Sequence, residues 1–361
     1  MRKLYGILFA IALLCACTGR KTSDAGQSDT LALRYAQLLQ ISEQEGRMEA
    51  TVSDPWKQGK TLQSVRVGQV KSDGCIMPLQ RVVVFTTSHC QLLEYLGLAN
   101  RIVGVCDLQY ILIPDIQQRA SDGRIRDCGD AMSPDIEKII DLHPDAIFVS
   151  PFDGSGGFGK LEKLGIPIIQ TADYMETSAL GRAEWMRYYG RLFGQGRRAD
   201  SLFHVVDSTY HSLKQYAAGL PQGRSILTER KTGATWYTPG GSSSMGTIIK
   251  DANGRYAFSD DKHGGSLALS AEQIIDKAGE SDVWAFKYNG AKMMSREDLL
   301  REFHGYKALK AFRTGEIYES NVSVSPYFEE TPFRPDYLLR EMIILLHPQA
   351  NIGTLRYYKH L

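Results

Sequence analysis

Residues 31–84 alternate apolar and polar positions, as in Leu31-Ala32-Leu33-Arg34-Tyr35 and Val65-Arg66-Val67-Gly68-Gln69-Val70. Period-two alternation is the mark of half-buried strands, so this stretch predicts a small β-meander. From Arg81 the pattern changes. Short apolar runs at 81–85, 102–105, 146–150 and 166–171 read as buried strands, separated by segments of helical spacing at 89–98, 133–142 and 160–164. Strands alternating with helices predict an α/β layer with a mainly parallel sheet. In the second of those helices Ser133 is read as the cap, with Pro134 at the first helical position and Asp135 early in the first turn. Trp185, Tyr188, Tyr189, Leu192 and Phe193 then recur at helical spacing, and a further helical stretch covers 197–218. At 1.5 Å per residue it is roughly 33 Å long, enough to bridge two lobes. The α/β rhythm restarts at 225–229, with helices at 245–251, 270–278 and 295–303, strands at 283–286 and 316–319, and a closing amphipathic helix at 336–346. The predicted fold is therefore α/β, with two lobes of mainly parallel sheet joined by one long helix and preceded by an N-terminal β-meander.

The first residues change the picture of where the chain works. Met1-Arg2-Lys3 is cationic, residues 4–14 are apolar, and Leu14-Cys15-Ala16-Cys17 precedes a polar turn. That is the layout of an export signal, and the apolar run is shorter than the ~20 residues a spanning helix needs. A small residue before a cysteine, with leucine three before it, resembles the lipobox of bacterial lipoproteins, and Cys17 fits the acylated residue. A plain signal peptide cut nearby, or an N-terminal anchor, are the alternatives. The expected segments are a signal peptide and acylation site at 1–17, a polar tether at 18–30, the β-meander with the first lobe at 31–176, a helical linker at 177–220 and the second lobe at 221–361. Charge is balanced, at 42 Lys plus Arg against 41 Asp plus Glu, and the basic residues are scattered. No nucleic-acid surface is expected. Four cysteines remain after Cys15 and Cys17, namely Cys75, Cys90, Cys106 and Cys128, with no metal-type spacing and with their pairing open.

Several segments, taken in order, resemble the periplasmic binding proteins that serve iron-siderophore, haem and cobalamin ABC importers, the two-lobed class with a single-helix hinge. They are Arg81-Val82-Val83-Val84, Ile102-Val103-Gly104-Val105, Ser133-Pro134-Asp135-Ile136-Glu137-Lys138-Ile139-Ile140 with Pro144-Asp145, and Leu161-Glu162-Lys163-Leu164-Gly165-Ile166-Pro167. In the second lobe they are Ser270-Ala271-Glu272-Gln273-Ile274-Ile275, Pro335-Asp336 and His347-Pro348. The resemblance implies a lipid-anchored, exported binding protein on the periplasmic face of a bacterial membrane, working as a monomer and handing a metal chelate to permease subunits; it implies no enzyme and no cofactor. It also implies that Glu137 and Glu272, one per lobe in the first turn of a helix, are the acids that dock into arginine pockets of the permease. A carboxylate at either place is also favoured by the helix dipole alone, but the paired occurrence in matching contexts favours docking.

Ligands of open α/β sheets lie outside the carboxyl ends of the strands. The loops there carry Ser88 and His89, residues 107–110 and 151–153 in the first lobe, and Trp236, Tyr237, 242–244, 287–289 and 321–328 in the second. Ser88, Tyr110, Phe152, Trp236, Tyr237, Lys287 and Tyr327 are the expected ligand contacts. Flat aromatic faces suit a bulky chelate better than a bare ion, and the histidines form no converging metal set, although His263 lies in a rim loop. A ferric siderophore is the first expectation for the cargo, with cobalamin or haem second. Two enzyme readings compete. Gly154-Ser155-Gly156-Gly157-Phe158-Gly159 satisfies G-x-G-x-x-G after a strand, but three residues separate strand from glycine and no acid/base set follows; Ser242-Ser243-Ser244 lacks the G-x-S-x-G of a nucleophile elbow. A chelate-capture protein working without an importer would share fold and ligand and differ only at Glu137 and Glu272.

Overall fold

The structure, a computed structural model, describes residues 29–69, 76–154 and 157–361. Cys17, Cys75, Ser155 and Gly156 lie outside them. The first four strands, β1 (Asp29–Leu31), β2 (Leu39–Gln44), β3 (Arg47–Ser53) and β4 (Thr61–Val67), form the expected antiparallel meander in the order β1-β2-β3-β4. Its alternation is real: Leu39, Ile41, Met48, Ala50, Val52, Val65 and Val67 are buried on one face. Glu45 and Gly46, both at positive φ, make the two-residue turn between β2 and β3, the turn whose twist suits a hairpin.

Next comes a five-stranded sheet of β5 (Val82–Val84), β6 (Ile102–Val105), β7 (Arg126–Asp127), β10 (Ala146–Val149) and β11 (Ile168–Gln170), with a short hairpin of β8 (Gly129–Asp130) and β9 (Ser133–Pro134) beside it. The order is β11-β10-β5-β6-β7 and every pairing is parallel. β5, β6 and β10 are buried along their whole length, as a sheet covered on both faces requires. Helices α1 (Thr87–Tyr95), α2 (Pro114–Ser121) and α3 (Ile136–Asp141) connect them. Here the expected cap is corrected. The backbone amide of Asp135 donates to the carbonyl of Cys128 at 2.8 Å, which keeps 133–135 extended. Asp135, not Ser133, caps α3, accepting the Lys138 amide at 3.1 Å. The 160–164 helix shrinks to one 3₁₀ turn, Leu161–Leu164, so the glycine-rich loop leads into no α-helix whose N-terminus would hold a pyrophosphate.

The connection to the second half runs through α4 (Ala179–Glu184), α5 (Met186–Leu192) and α6 (Gly196–Ala218). At 23 residues α6 is the expected long helix; it packs on α5 on one side and on the terminal helix of the chain on the other. The second sheet comprises β12 (Ser225–Thr228), β15 (Arg255–Tyr256), β17 (Val283–Tyr288), β18 (Ile317–Asn321) and β19 (Lys359–His360), in the order β15-β12-β17-β18-β19. Its pairings are parallel except β18 with β19. A smaller antiparallel sheet joins β13 (Lys231–Thr232), β14 (Thr235–Pro239) and β16 (Ser266–Leu269). Around them lie α7 (Ser244–Asp251), α8 (Ala271–Ala278), α9 (Arg296–Glu302), α10 (Lys310–Thr314), α11 (Tyr327–Glu330) and α12 (Pro335–Leu346).

One apolar core runs from the meander through α5 and α6 into the second sheet, with Trp185, Tyr188, Tyr189, Trp236 and Trp284 at its centre. Among the described residues Cys90, Cys106 and Cys128 are free, buried thiols. No helix among them is long and apolar enough to cross a membrane.

Candidate functional site

The segments after β11 in the first sheet and β12 in the second, with the end of β17, border an inter-lobe cleft with a cavity of about 660 Å3. Tyr174 and Arg182 line it from the first side, and Glu229, Ser244, Gly265 and Lys287 from the second. A second cavity of about 640 Å3 lies within the first lobe, bordered by Thr86, Met132, Ile136, Ser150, Phe152 and Phe158. Tyr174 links the two, since its hydroxyl donates to the carbonyl of Pro151 at 2.6 Å, next to Phe152. The halves of the molecule also touch directly. Glu329 of α11, buried, accepts from the Thr87 hydroxyl and the Leu112 amide at 3.2 Å each. Burial raises its carboxyl above the ordinary range.

Charge in the inter-lobe cleft is paired. Lys287 contacts the Glu229 carboxylate and lies 5.3 Å over the Tyr327 ring; burial pushes its ammonium down to about 8. Glu229 sits at φ +61 directly after β12, a backbone region that costs a non-glycine residue about 1–2 kcal/mol. Asp107, after β6, is at φ +54. Both lobes thus hold an acidic residue left-handed at a strand end, and such strain collects at functional sites. Arg182 bonds the wholly buried Asp173 at 3.0 Å, and His89 bonds the same carboxylate at 2.9 Å. Burial works against this carboxylate, but His89 and Arg182 outweigh it and hold Asp173 below the ordinary range.

The expected ligand contacts separate. Phe152 borders the first-lobe cavity and Lys287 the inter-lobe one. Tyr110 stands exposed after β6 and Tyr237 exposed within β14, where Tyr237 shares a face with Pro239, which lines the cleft. Three residues are corrected. Trp236 is wholly buried, packed edge-on to Tyr306 and donating its indole N–H to the Thr228 carbonyl at 3.2 Å. Successive strand side chains point to opposite faces, so Trp236 and Tyr237 cannot both face a ligand. Ser88 is buried in the first turn of α1. Tyr327 is buried against Tyr357 and Tyr358, beneath the rim. His263 is exposed and paired with Asp261. Ser243 is occupied as the cap of α7, donating to the Gly240 carbonyl at 2.6 Å and accepting the Gly246 amide at 3.1 Å, which leaves it no nucleophile's role.

The burial of Trp236 has a measurable consequence. Trp236→Ala should cost about 3–5 kcal/mol of stability, as large-to-small changes in a core do, while Tyr237→Ala should stay within about 0.5 kcal/mol. Denaturant unfolding of the two variants checks this; equal effects would mean that Trp236 is not a core residue.

Tyr174 and Glu229 were missed although each follows a strand end, so the same strand-end rule extended to the loops after β11 and β12 finds them. Arg182 and the cleft residues from the meander, Gln37, Leu38 and Pro55, carry no such signal. Glu137 and Glu272 are exposed in the first turns of α3 and α8 and line neither cavity.

Comparison with known proteins agrees with this architecture. An uncharacterised lipoprotein of Methanocaldococcus jannaschii is 26% identical over 290 residues, covering 77% of this chain and 67% of its own. The petrobactin-binding protein YclQ of Bacillus subtilis superposes with a TM-score of 0.59 at 18% identity, over 82% of this chain and 98% of its own. A periplasmic haem-binding protein of Pseudomonas aeruginosa gives 0.60 at 15% identity, over 78% and 97%. At these identities the solved structures establish the fold. The sequence model of the periplasmic binding proteins matches residues 82–321, both parallel sheets and the helices joining them, and so the chain belongs to the periplasmic binding protein family, whose members are substrate-binding components of ABC transporters and not enzymes.

Proposed function

We propose that this protein is a lipid-anchored binding protein that captures a metal chelate of the ferric-siderophore type in the inter-lobe cleft and delivers it to an importer. One observation carries the reading. Of the eleven large apolar side chains exposed among the described residues, Tyr174 lines the inter-lobe cavity, and Met132 and Phe152 line the first-lobe cavity that the Tyr174–Pro151 bond joins to it. Exposed apolar groups mark a binding surface, and those along the two joined cavities would meet the organic shell of a chelate. Among the described residues no three His, Cys, Asp or Glu side chains gather as a metal-binding group. The petrobactin-binding and haem-binding neighbours share the fold. Haem is the second reading, favoured by the exposed Tyr110, Tyr174 and Tyr237, since a tyrosine can ligate haem iron. The carboxylates of Glu137 and Glu272 would dock the loaded protein, and acylated Cys17 would hold it at the membrane, in keeping with the lipoprotein relative.

Calorimetric titration with ferric hydroxamates, ferric catecholates, haem, cyanocobalamin and free ferric and zinc ions tests the cargo. Quenching of Trp236 is a poor substitute, because that indole is wholly buried. One chelate should bind saturably, and Phe152→Ala with Tyr237→Ala should weaken it at least about tenfold, the equivalent of ~1.4 kcal/mol. Saturable binding of a bare ion alone would overturn the reading.

A further inference from the structure

We propose that the N-terminal meander is a fixed third wall of the ligand cleft and contributes to the choice of cargo. This rests on the reading of the cleft as the cargo site. The meander, β1–β4, lies outside residues 82–321 that the chain shares with its family. Yet Gln37, Leu38 and Pro55 line the inter-lobe cavity beside Tyr174 and opposite Ser244 and Gly265.

The segment carrying Gln37 and Leu38 is held unusually firmly for a loop. Five successive backbone amides, 34–38, donate into two buried carboxylates. Arg34, Tyr35 and Ala36 bond Glu184 at 2.8–3.0 Å. Gln37 and Leu38 bond Glu176 at 3.0–3.1 Å, and Trp185 donates its indole N–H to the same group at 2.9 Å. Hydrogen bonds to a charged acceptor are about twice as strong as neutral ones. The Tyr35 hydroxyl adds a bond to Asp207 of α6 at 2.8 Å. The fit over α4 is close: a Cβ on Gly181 would come within 2.9 Å of the Tyr35 carbonyl oxygen.

The other side of the meander is fastened as well. The Gln63 side chain of β4 donates to the Ile168 carbonyl at 2.5 Å and accepts the Gln170 amide at 2.8 Å, taking the place of a neighbouring strand along the free edge of β11. Pro55 is set by its own turn, in which Asp54 accepts the amides of Trp56 and Lys57 at 2.9 and 3.0 Å. A wall tied to both α4 and β11 stays in place, so it acts on the cargo by shape. It offers an amide and two apolar surfaces and no charge, chemistry that fits the uncharged part of a chelator's organic shell.

The test measures affinity for the chelate panel on the full exported chain. Gln37 is exposed, so Gln37→Trp should fold with an unchanged melting temperature and fill part of the cavity, lowering affinity for the bulky cargo at least about tenfold. Gln37→Ala, which cannot crowd the cleft, should shift the preference among chelates of different size. Gln40→Trp, exposed on the meander and outside the cavity lining, should change neither affinity nor stability. If the unchanged protein binds no chelate, the cargo reading itself falls, and the wall with it. Binding by the wild-type chain together with wild-type affinity and preference in both Gln37 variants would overturn the wall alone.

Discussion

Reversing the charge at Glu137 and Glu272 together abolishes transport of the cargo while its affinity for the isolated protein stays within a factor of a few. The expectation follows from where the two side chains lie. Glu137 is in the first turn of α3 on one lobe, Glu272 in the first turn of α8 on the other, and both are exposed and line neither cavity. Each helix has a cap of its own besides them. Asp135 caps α3, and Ser270 with Gln273 forms a reciprocal capping box on α8. A pair of exposed carboxylates, one on each lobe, is what two-point docking on a cationic partner needs, and like-charge contact after reversal repels it. Transport into vesicles carrying the permease, measured beside calorimetric affinity, separates the outcomes. Unchanged transport by the double variant would sink the docking role, and lost affinity would mean that the carboxylates act through the fold.

Cys17→Ser moves the protein from the membrane fraction to the soluble one. The local sequence Leu14-Cys15-Ala16-Cys17 fits an acylation site, and no helix among the described residues is long and apolar enough to span a membrane in its place. One acyl chain holds a protein only reversibly, and stable anchoring takes a second signal, so the mature wild-type N-terminus should carry a mass increment of more than one chain on Cys17. Fractionation with mass spectrometry of the N-terminus checks both statements. A Cys17→Ser protein that stays with membranes and keeps residues 1–16 would end the lipoprotein reading.

The α/β order, the long helix and the meander were all legible in the sequence, because each rests on a local rule. Period-two alternation buried Leu39, Ile41, Met48 and Ala50 on one face. Uninterrupted apolar runs became the parallel strands β5, β6 and β10, covered on both sides. Ser270 and Ser295 cap α8 and α9 where the pattern put their starts. Family membership was legible for the same reason, being carried by the order of such segments.

What the tertiary structure alone decided is which side chains of those elements face the cleft. Trp236 and Tyr237 are neighbours of similar chemistry, and only the pairing of β14 with β13 and β16 turned one into the core and the other outward. The backbone bond from Asp135 to Cys128, between adjacent connections of the first sheet, moved the cap of α3 by two residues. The third wall was furthest from reach. Glu176 and Glu184 meet the amides of residues 34–38 across about 140–150 positions of sequence, a separation over which no periodicity or spacing rule acts, because hydrogen bonding to a buried carboxylate depends on distance in space and not along the chain.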